Sequence, residues 1–123
     1  MMELGLSVRY HGDCATIQID GEIDLATSPL LQAILVDLVD RGCQQLIVDL
    51  ERVSFLDCAG IRVLVDARRR VHGHGGSVRL VRPRPPVWRV LALTGMTELF
   101  PIDTSLGEPL ATEPVGPEDA SVG

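Results

Sequence analysis

Two early segments of the chain have the residue pattern of a β-hairpin. Apolar and polar residues alternate from Cys14 to Asp20, which is the period of a strand with one buried face. The segment Leu6–Tyr10 is a suitable partner strand, because the intervening residues His11-Gly12-Asp13 are typical of a turn. A later run, Leu46–Val48, is apolar without alternation and predicts a central strand that is covered on both faces.

A first helix is predicted after the hairpin from its capping residues and its apolar spacing. Thr27 or Ser28 caps this helix, Pro29 lies in its first turn, and Gly42 ends it. A single apolar stripe is expected to face the sheet. Its members are Leu30, Leu31, Ile34, Leu35 and Leu38.

A second helix is predicted after a loop through Ser54 and Phe55. Asp57 caps this helix, and the glycine-rich segment 72–76 ends it. The apolar side of the helix consists of Ile61, Leu64, Val65 and Val71, while Arg68, Arg69 and Arg70 are interpreted as part of a solvated face.

The last third of the chain predicts one more strand at residues 78–81 and a third helix. This helix runs from near Pro86 to Thr94, with Trp88 as a core anchor, and Gly95 supplies the stop. Phe100–Ile102 is interpreted as a short final strand. The order ββαβαβα predicts an α/β fold, a small mixed sheet with helices packed on it. Residues 1–106 form the predicted domain, and the acidic, Pro- and Gly-rich residues 107–123 are predicted to be a disordered tail.

Composition and charge exclude several classes of partner. The chain has 123 residues, of which 46% are hydrophobic and only 3% aromatic, so a packed core is expected but no aromatic platform for single-stranded nucleic acid. A net charge of -6 argues against direct binding to duplex nucleic acid or to an anionic membrane. No apolar run approaches the ~18 residues of a membrane span.

The cysteine pattern indicates a reducing environment. Cys14, Cys43 and Cys58 are an odd set without a CxxC pair, so neither a disulfide framework nor a zinc knuckle is expected. We therefore predict a cytoplasmic protein that needs no metal or other cofactor.

Two segments, Gly21–Thr27 and Ser54–Arg62, each end a strand and open a helix, where α/β sheets usually carry their working surface. Together with Val48-Asp49-Leu50 and Leu93–Phe100, they resemble the STAS domain, in particular the stand-alone bacterial anti-sigma-factor antagonists. The likeness covers roughly Leu6 to Ile102. It implies a STAS-like mixed sheet of four to five strands with packed helices, and a role in partner switching rather than catalysis.

The resemblance also implies how such a protein is controlled. In that family the unmodified antagonist binds an anti-sigma factor that is also a serine kinase, and thereby frees the sigma factor. Phosphorylation of a serine just before the glycine of the second motif breaks the complex, because a phosphate adds about -1.5 to -2 charges to the interface. In this chain Ala59 precedes Gly60, so the phospho-acceptor position holds no acceptor.

The resemblance assigns a set of partner-binding residues, and the chain is expected to be a monomer or weak dimer. The predicted partner is an anti-sigma factor of the serine-kinase type. Asp24 is equally well interpreted as a loop carboxylate that binds its own backbone. Asp57 is interpreted as a helix cap, whether or not it also contacts a partner. The partner-binding residues carried over are Asp24, Thr27, Ser28, Asp57, Cys58, Ala59, Gly60, Ile61 and Arg62.

Two further functions compete with this assignment. One is a scaffold subunit of a larger STAS assembly. The other is a redox sensor or thiol enzyme that uses Cys58, since a thiol in the first turn of a helix can have a lowered pKa. The adjacent Asp57 favours the neutral thiol, and a phosphatase-type loop would need its phosphate-binding arginine where this chain has Leu64. An enzyme is therefore not expected.

Overall fold

A computed structural model of the chain describes residues 4–104. Within this range it contains five strands and four helices, of which three helices were predicted and the fourth is a short helix near the end. The elements are β1 (Leu4–His11), β2 (Cys14–Ile23), α1 (Ser28–Asp40), β3 (Gln45–Leu56), α2 (Cys58–His72), β4 (Ser77–Val81), α3 (Pro85–Leu93), α4 (Met96–Leu99) and β5 (Ile102–Asp103).

The strands form one mixed sheet in the order β1-β2-β3-β4-β5. β1 and β2 are antiparallel, whereas β2, β3, β4 and β5 are parallel to one another. Short connections make the antiparallel hairpin possible, and a helix links each parallel pair. The α/β fold and the mixed sheet expected from the sequence are confirmed.

β3 is longer than the sequence predicted, and this difference matters for the site. It pairs with β4 only as far as Asp49, but it continues beside β2 until Leu56 lies opposite Ile23. The loop predicted through Ser54 and Phe55 is therefore wrong. A register shift leaves Ser54 without a partner residue in β2, so that Phe55 lies opposite Glu22. Such a bulge breaks the alternation of apolar and polar residues by which a strand is recognised in sequence.

The core lies between the sheet and the helices that pack on it. The strand residues Ile17, Val48 and Leu80 are fully buried. The helix residues Leu35 on α1 and Leu64 on α2 are 1% and 0% exposed. Two sequence predictions about the core are wrong. Leu30 is 54% exposed because it lies on the outer side of the first turn of α1, and Trp88 is 39% exposed because Val87 and Leu91 form the inward side of α3.

A buried ion pair explains the aspartate of the Val48-Asp49-Leu50 motif. Asp49 is buried, and its carboxylate accepts hydrogen bonds from the Glu51 backbone N–H and from the Arg82 guanidinium. Desolvation lowers the pKa of Arg82, but the hydrogen bond to Asp49 and the nearby acidic charges outweigh it, so the pKa is raised overall. Removing one partner of such a pair would leave an uncompensated buried charge.

Three further sequence predictions concern the end of α3, the C-terminal tail and membrane-spanning segments. Gly95 has a φ of 80°, the left-handed conformation that ends α3 as predicted. The predicted disordered tail, residues 107–123, lies outside the described residues and stays a prediction. None of the helices in residues 4–104 is long and apolar enough to cross a membrane.

Candidate docking surface

The two strand-to-helix junctions singled out in the sequence lie side by side at one edge of the sheet. β2 and β3 are parallel and end together, with Ile23 opposite Leu56. The backbone N–H of Asp57 donates to the carbonyl oxygen of Ile23 at 3.2 Å. The loop after β2 and the first turn of α2 therefore form one continuous surface.

The first junction, residues 24–28, is a loop that is closed on itself by hydrogen bonds. Asp24 Oδ1 accepts from the backbone N–H groups of Ala26 and Thr27 at 2.9 and 3.0 Å. The Thr27 hydroxyl donates to the Glu22 carbonyl at 2.7 Å and accepts from the Asp24 N–H at 2.9 Å. The Ser28 N–H donates to the Asp24 carbonyl at 2.8 Å. This is the backbone-binding role foreseen for Asp24.

The same network shows how Thr27 and Ser28 are held at the start of α1. Thr27 occupies the N-cap position of α1, but its side chain does not bond to helix N–H groups. Thr27 is 2% exposed and Ser28 is 7% exposed. The Thr27 side chain supports the loop from inside, whereas Ser28 contributes its backbone N–H, and contact of either residue with a partner stays a prediction.

The loop network holds one large apolar side chain in solvent. Leu25 lies between Asp24 and Thr27, whose side chains fix the backbone, and it is 80% exposed. Single exposed apolar side chains are common on protein surfaces, so Leu25 is of interest because it lies on a loop that is fixed by hydrogen bonds. Sequence reasoning missed it, although the signal was there: an apolar residue flanked by two residues whose side chains favour bonding to the local backbone.

The second junction is capped as predicted. Asp57 Oδ1 accepts from the backbone N–H groups of Ala59 and Gly60 at 2.9 and 3.3 Å. The N–H of Ile61 then donates to the Asp57 carbonyl at 3.0 Å, so the helix begins immediately after the cap. The first turn of α2 is thus held firmly at the end of β3.

Gly60 allows α2 to start in contact with the strand ends. Gly60 is buried, and a Cβ added there would lie 2.4 Å from Leu56 Cδ1 and 2.7 Å from Ile23 Cγ2. Real Cβ atoms do not approach other atoms so closely. The missing side chain at Gly60 therefore serves the packing of α2, and contact of this residue with a partner stays a prediction.

The remaining residues of the second junction point outward or lie at its margin. Cys58 and Arg62 are exposed, Ala59 is partly exposed, and Ile61 packs against the edge of the core. Phe55, just before the cap, is 47% exposed and was missed because it was assigned to a loop. We call Leu25, Phe55, Cys58, Ala59 and Arg62 the docking face.

The three thiols differ in their surroundings. Cys58 is exposed, Cys43 is buried and Cys14 is intermediate. Burial raises the pKa of the Cys14 thiol, and the charge of Asp13 adds to this effect. Within residues 4–104 there is no group of three or more His, Cys, Asp and Glu side chains that could hold a metal ion.

Comparison with known proteins gives a consistent result. The profile of the family described as STAS domain matches residues 6–108. The chain is 30% identical over 101 residues to the anti-sigma-B factor antagonist of Bacillus subtilis, covering 82% of this chain and 92% of the relative. An anti-sigma factor antagonist from Mycobacterium paratuberculosis has a similar crystal structure, with a TM-score of 0.77, 27% identity, and coverage of 85% of this chain and 88% of that one.

A further solved structure shares the fold at lower identity. It is the anti-sigma factor antagonist SpoIIAA in its unphosphorylated form, with a TM-score of 0.72, 21% identity, and coverage of 82% of this chain and 90% of that one. The Bacillus cell fate determinant SpoIIAA has also been solved in its phosphorylated form, which aligns with a TM-score of 0.66 at 20% identity over 82% of this chain and 93% of that one.

Proposed function

This chain belongs to the STAS domain family, and we propose that it is an anti-sigma-factor antagonist that binds a serine-kinase anti-sigma factor through its docking face. Binding would free the sigma factor that the anti-sigma factor holds. Its relatives in Bacillus subtilis and Mycobacterium paratuberculosis are described as anti-sigma factor antagonists. The role is that of a binding protein and needs neither catalysis nor a cofactor.

One observation carries the proposal: two large apolar side chains are exposed beside the capped start of α2. Leu25 and Phe55 are 80% and 47% exposed, and both are held on backbone that is fixed by hydrogen bonds or strand pairing. Exposed apolar side chains on a rigid support bind with little loss of conformational entropy. Arg62 adds a charge at the rim of this face, where it can guide association.

The docking face of this chain lacks the hydroxyl that the family's phosphorylation switch requires. Ala59 occupies the acceptor position in the first turn of α2, and its side chain is a methyl group. A phosphate at this position would stand next to the Asp57 carboxylate, which already accepts hydrogen bonds from the Ala59 and Gly60 N–H groups. Like-charge repulsion and desolvation are the means by which phosphates disrupt interfaces. We propose that this chain avoids the repulsion and the desolvation because it is not phosphorylated, and that it stays bound when its partner is supplied with ATP.

The test has a binding step and a modification step. The full chain, used as bait in extract of its native cell, is expected to retain an anti-sigma factor with a serine-kinase domain. That partner is then purified and incubated with the chain and ATP. The unmodified chain should gain no mass and remain bound, whereas Ala59→Ser should gain one phosphate and dissociate.

Two results would contradict this proposal in different ways. Capture of proteins that contain no kinase-type anti-sigma factor would remove the proposed partner. Phosphorylation of the unmodified chain, coupled to its release, would instead retain the partner and remove the role of Ala59. In that second case Ser54, which is exposed at the end of β3, would be the next residue to replace.

The cytoplasmic location stays a prediction, and the two competing functions have tests of their own. A scaffold subunit would form large particles that light scattering detects. A thiol-dependent protein would lose its function when Cys58 is replaced by serine. Because Cys58 is exposed and Cys43 is buried, an alkylating reagent at neutral pH is expected to label Cys58 far faster than Cys43.

A further inference from the structure

β1 is an edge strand whose outer side has no partner among residues 4–104. It is eight residues long and pairs with β2 in an uninterrupted register, from Leu4 opposite Gly21 to His11 opposite Cys14. No bulge bends it away from solvent. A long, regular edge of this kind offers its N–H and C=O groups to another strand.

β1 also lacks the residues by which proteins usually block such an edge. It contains no proline and no lysine, and Arg9 is its only permanently charged residue. On the face shared with the buried residues of β2, Leu6 and Val8 are only partly buried, and Tyr10 is 54% exposed. Natural edge strands normally carry inward charges, prolines or bulges that prevent pairing. The sequence of β1 therefore favours pairing.

We propose that β1 pairs antiparallel with β1 of a second copy of this chain, about a two-fold axis that passes through Ser7. The two sheets then join into one continuous sheet. In this register Leu6 lies opposite Val8 of the second copy, Leu4 lies opposite Tyr10, and Gly5 lies opposite Arg9. Because side chains alternate with a period of two, apolar residues meet on one face and small or polar residues on the other.

Self-pairing is favoured over a different partner strand because β1 is complementary to itself in this register. The two Arg9 side chains are separated and each faces Gly5, which leaves room for a long side chain. A register centred on Arg9 would place the two cations directly opposite each other, which destabilises a strand pair. The same patch serves both copies, as an isologous dimer requires.

The dimer does not compete with the docking face. β2 lies between β1 and β3 in the sheet, so α2 starts on the far side of β2 from the dimer axis. The two proposals rest on different strands, and either can fail without the other. We expect one dimer to carry two docking faces.

The test is sedimentation velocity on the full chain from micromolar to near-millimolar concentration. The unmodified chain should shift from one chain mass to twice that mass. Ser7→Lys places two like charges opposite each other and should raise the dimer Kd by about tenfold or more. Ser77→Lys puts the same charge on an exposed serine of β4 and should leave the Kd unchanged.

A charge-swap experiment separates pairing from a loss of folding. Ser7→Glu alone should also weaken the dimer, but an equimolar mixture of Ser7→Lys and Ser7→Glu should restore it through opposite charges. The proposal is overturned if the unmodified chain stays monomeric throughout this range. It is equally overturned if a dimer forms but is insensitive to both Ser7 variants, which would place another surface at the interface.

Discussion

The two junctions at the edge of the sheet have the same position in the topology but are built in opposite ways. In the first, between β2 and α1, the hydroxyl of Thr27 is buried and holds the loop. In the second, between β3 and α2, the side chain of Asp57 caps the helix, while the side chain of Cys58 is exposed and that of Ala59 is partly exposed. The first junction uses its polar side chains to fix the backbone. The second leaves its first turn free to meet a partner.

The difference shows why residue type alone does not identify a contact residue. Thr27 and Gly60 match the family motif, yet the Thr27 hydroxyl holds the loop and Gly60 lets the helix pack closely. Leu25 and Phe55 lie in the same two segments and are the side chains that solvent reaches. We therefore expect changes of the exposed residues to weaken partner binding without disturbing the residues beneath them.

The largest effect is expected from filling the space at Gly60. Gly60→Leu forces a side chain between Leu56 and Ile23, where even a Cβ lies 2.4 and 2.7 Å from their atoms. Overpacking of this kind costs about 3 kcal/mol, which lowers the melting temperature by more than about 10 °C in a domain of this size. Thermal unfolding followed by circular dichroism measures it. An unchanged melting temperature would show that Gly60 is not a packing residue.

The next effect is expected from Thr27 in the first junction. Thr27→Val keeps the shape but leaves the Glu22 carbonyl and the Asp24 N–H without the hydroxyl they bind. Unsatisfied buried groups cost about 2 kcal/mol. Thr94→Val is the matched control, because the exposed Thr94 hydroxyl bonds only to carbonyls of its own helix. Equal losses in free energy of unfolding for the two variants would contradict a special role for Thr27.

A smaller effect is expected from Asp57 in the second junction. Asp57→Ala leaves the N–H groups of Ala59 and Gly60 to water and should cost about 1 kcal/mol in free energy of unfolding. Asp57→Asn should restore most of this loss, because asparagine caps helices about as well as aspartate. Urea unfolding of the three proteins checks the order. A loss for Asp57→Asn as large as that for Asp57→Ala would indicate that charge, not capping, is what matters.

Most of the fold could be predicted because its signals are local. The alternation in β2, the cap at Asp57 and the stop at Gly95 each depend on a few neighbouring residues. The extension of β3 could not be predicted, since the bulge at Ser54 is defined only by its pairing with β2. The exposure of Trp88 depends on which side of α3 faces the sheet, and Val87 and Leu91 decide that only after the helix packs.

The sequence placed the two junction segments of the candidate site together, but it could not show which of their side chains are exposed. Both junction segments come together at one edge, as parallel strands require. The burial of Thr27 depends on a hydrogen bond to Glu22, five residues earlier, and the role of Gly60 depends on atoms of two strands. Such tertiary relations have no signature in the motif itself.

The most direct test of the docking face is a binding titration with the captured anti-sigma factor, using two leucines that are equally exposed. Leu25 and Leu93 are both 80% exposed, but only Leu25 lies in the docking face. Neither Leu25→Asp nor Leu93→Asp should change the free energy of unfolding by more than about 0.5 kcal/mol, as is usual for surface changes. Leu25→Asp should raise the Kd at least about thirtyfold, equivalent to about 2 kcal/mol for an interface anchor, while Leu93→Asp leaves it unchanged. Equal Kd values for Leu25→Asp and the unmodified chain would contradict the account.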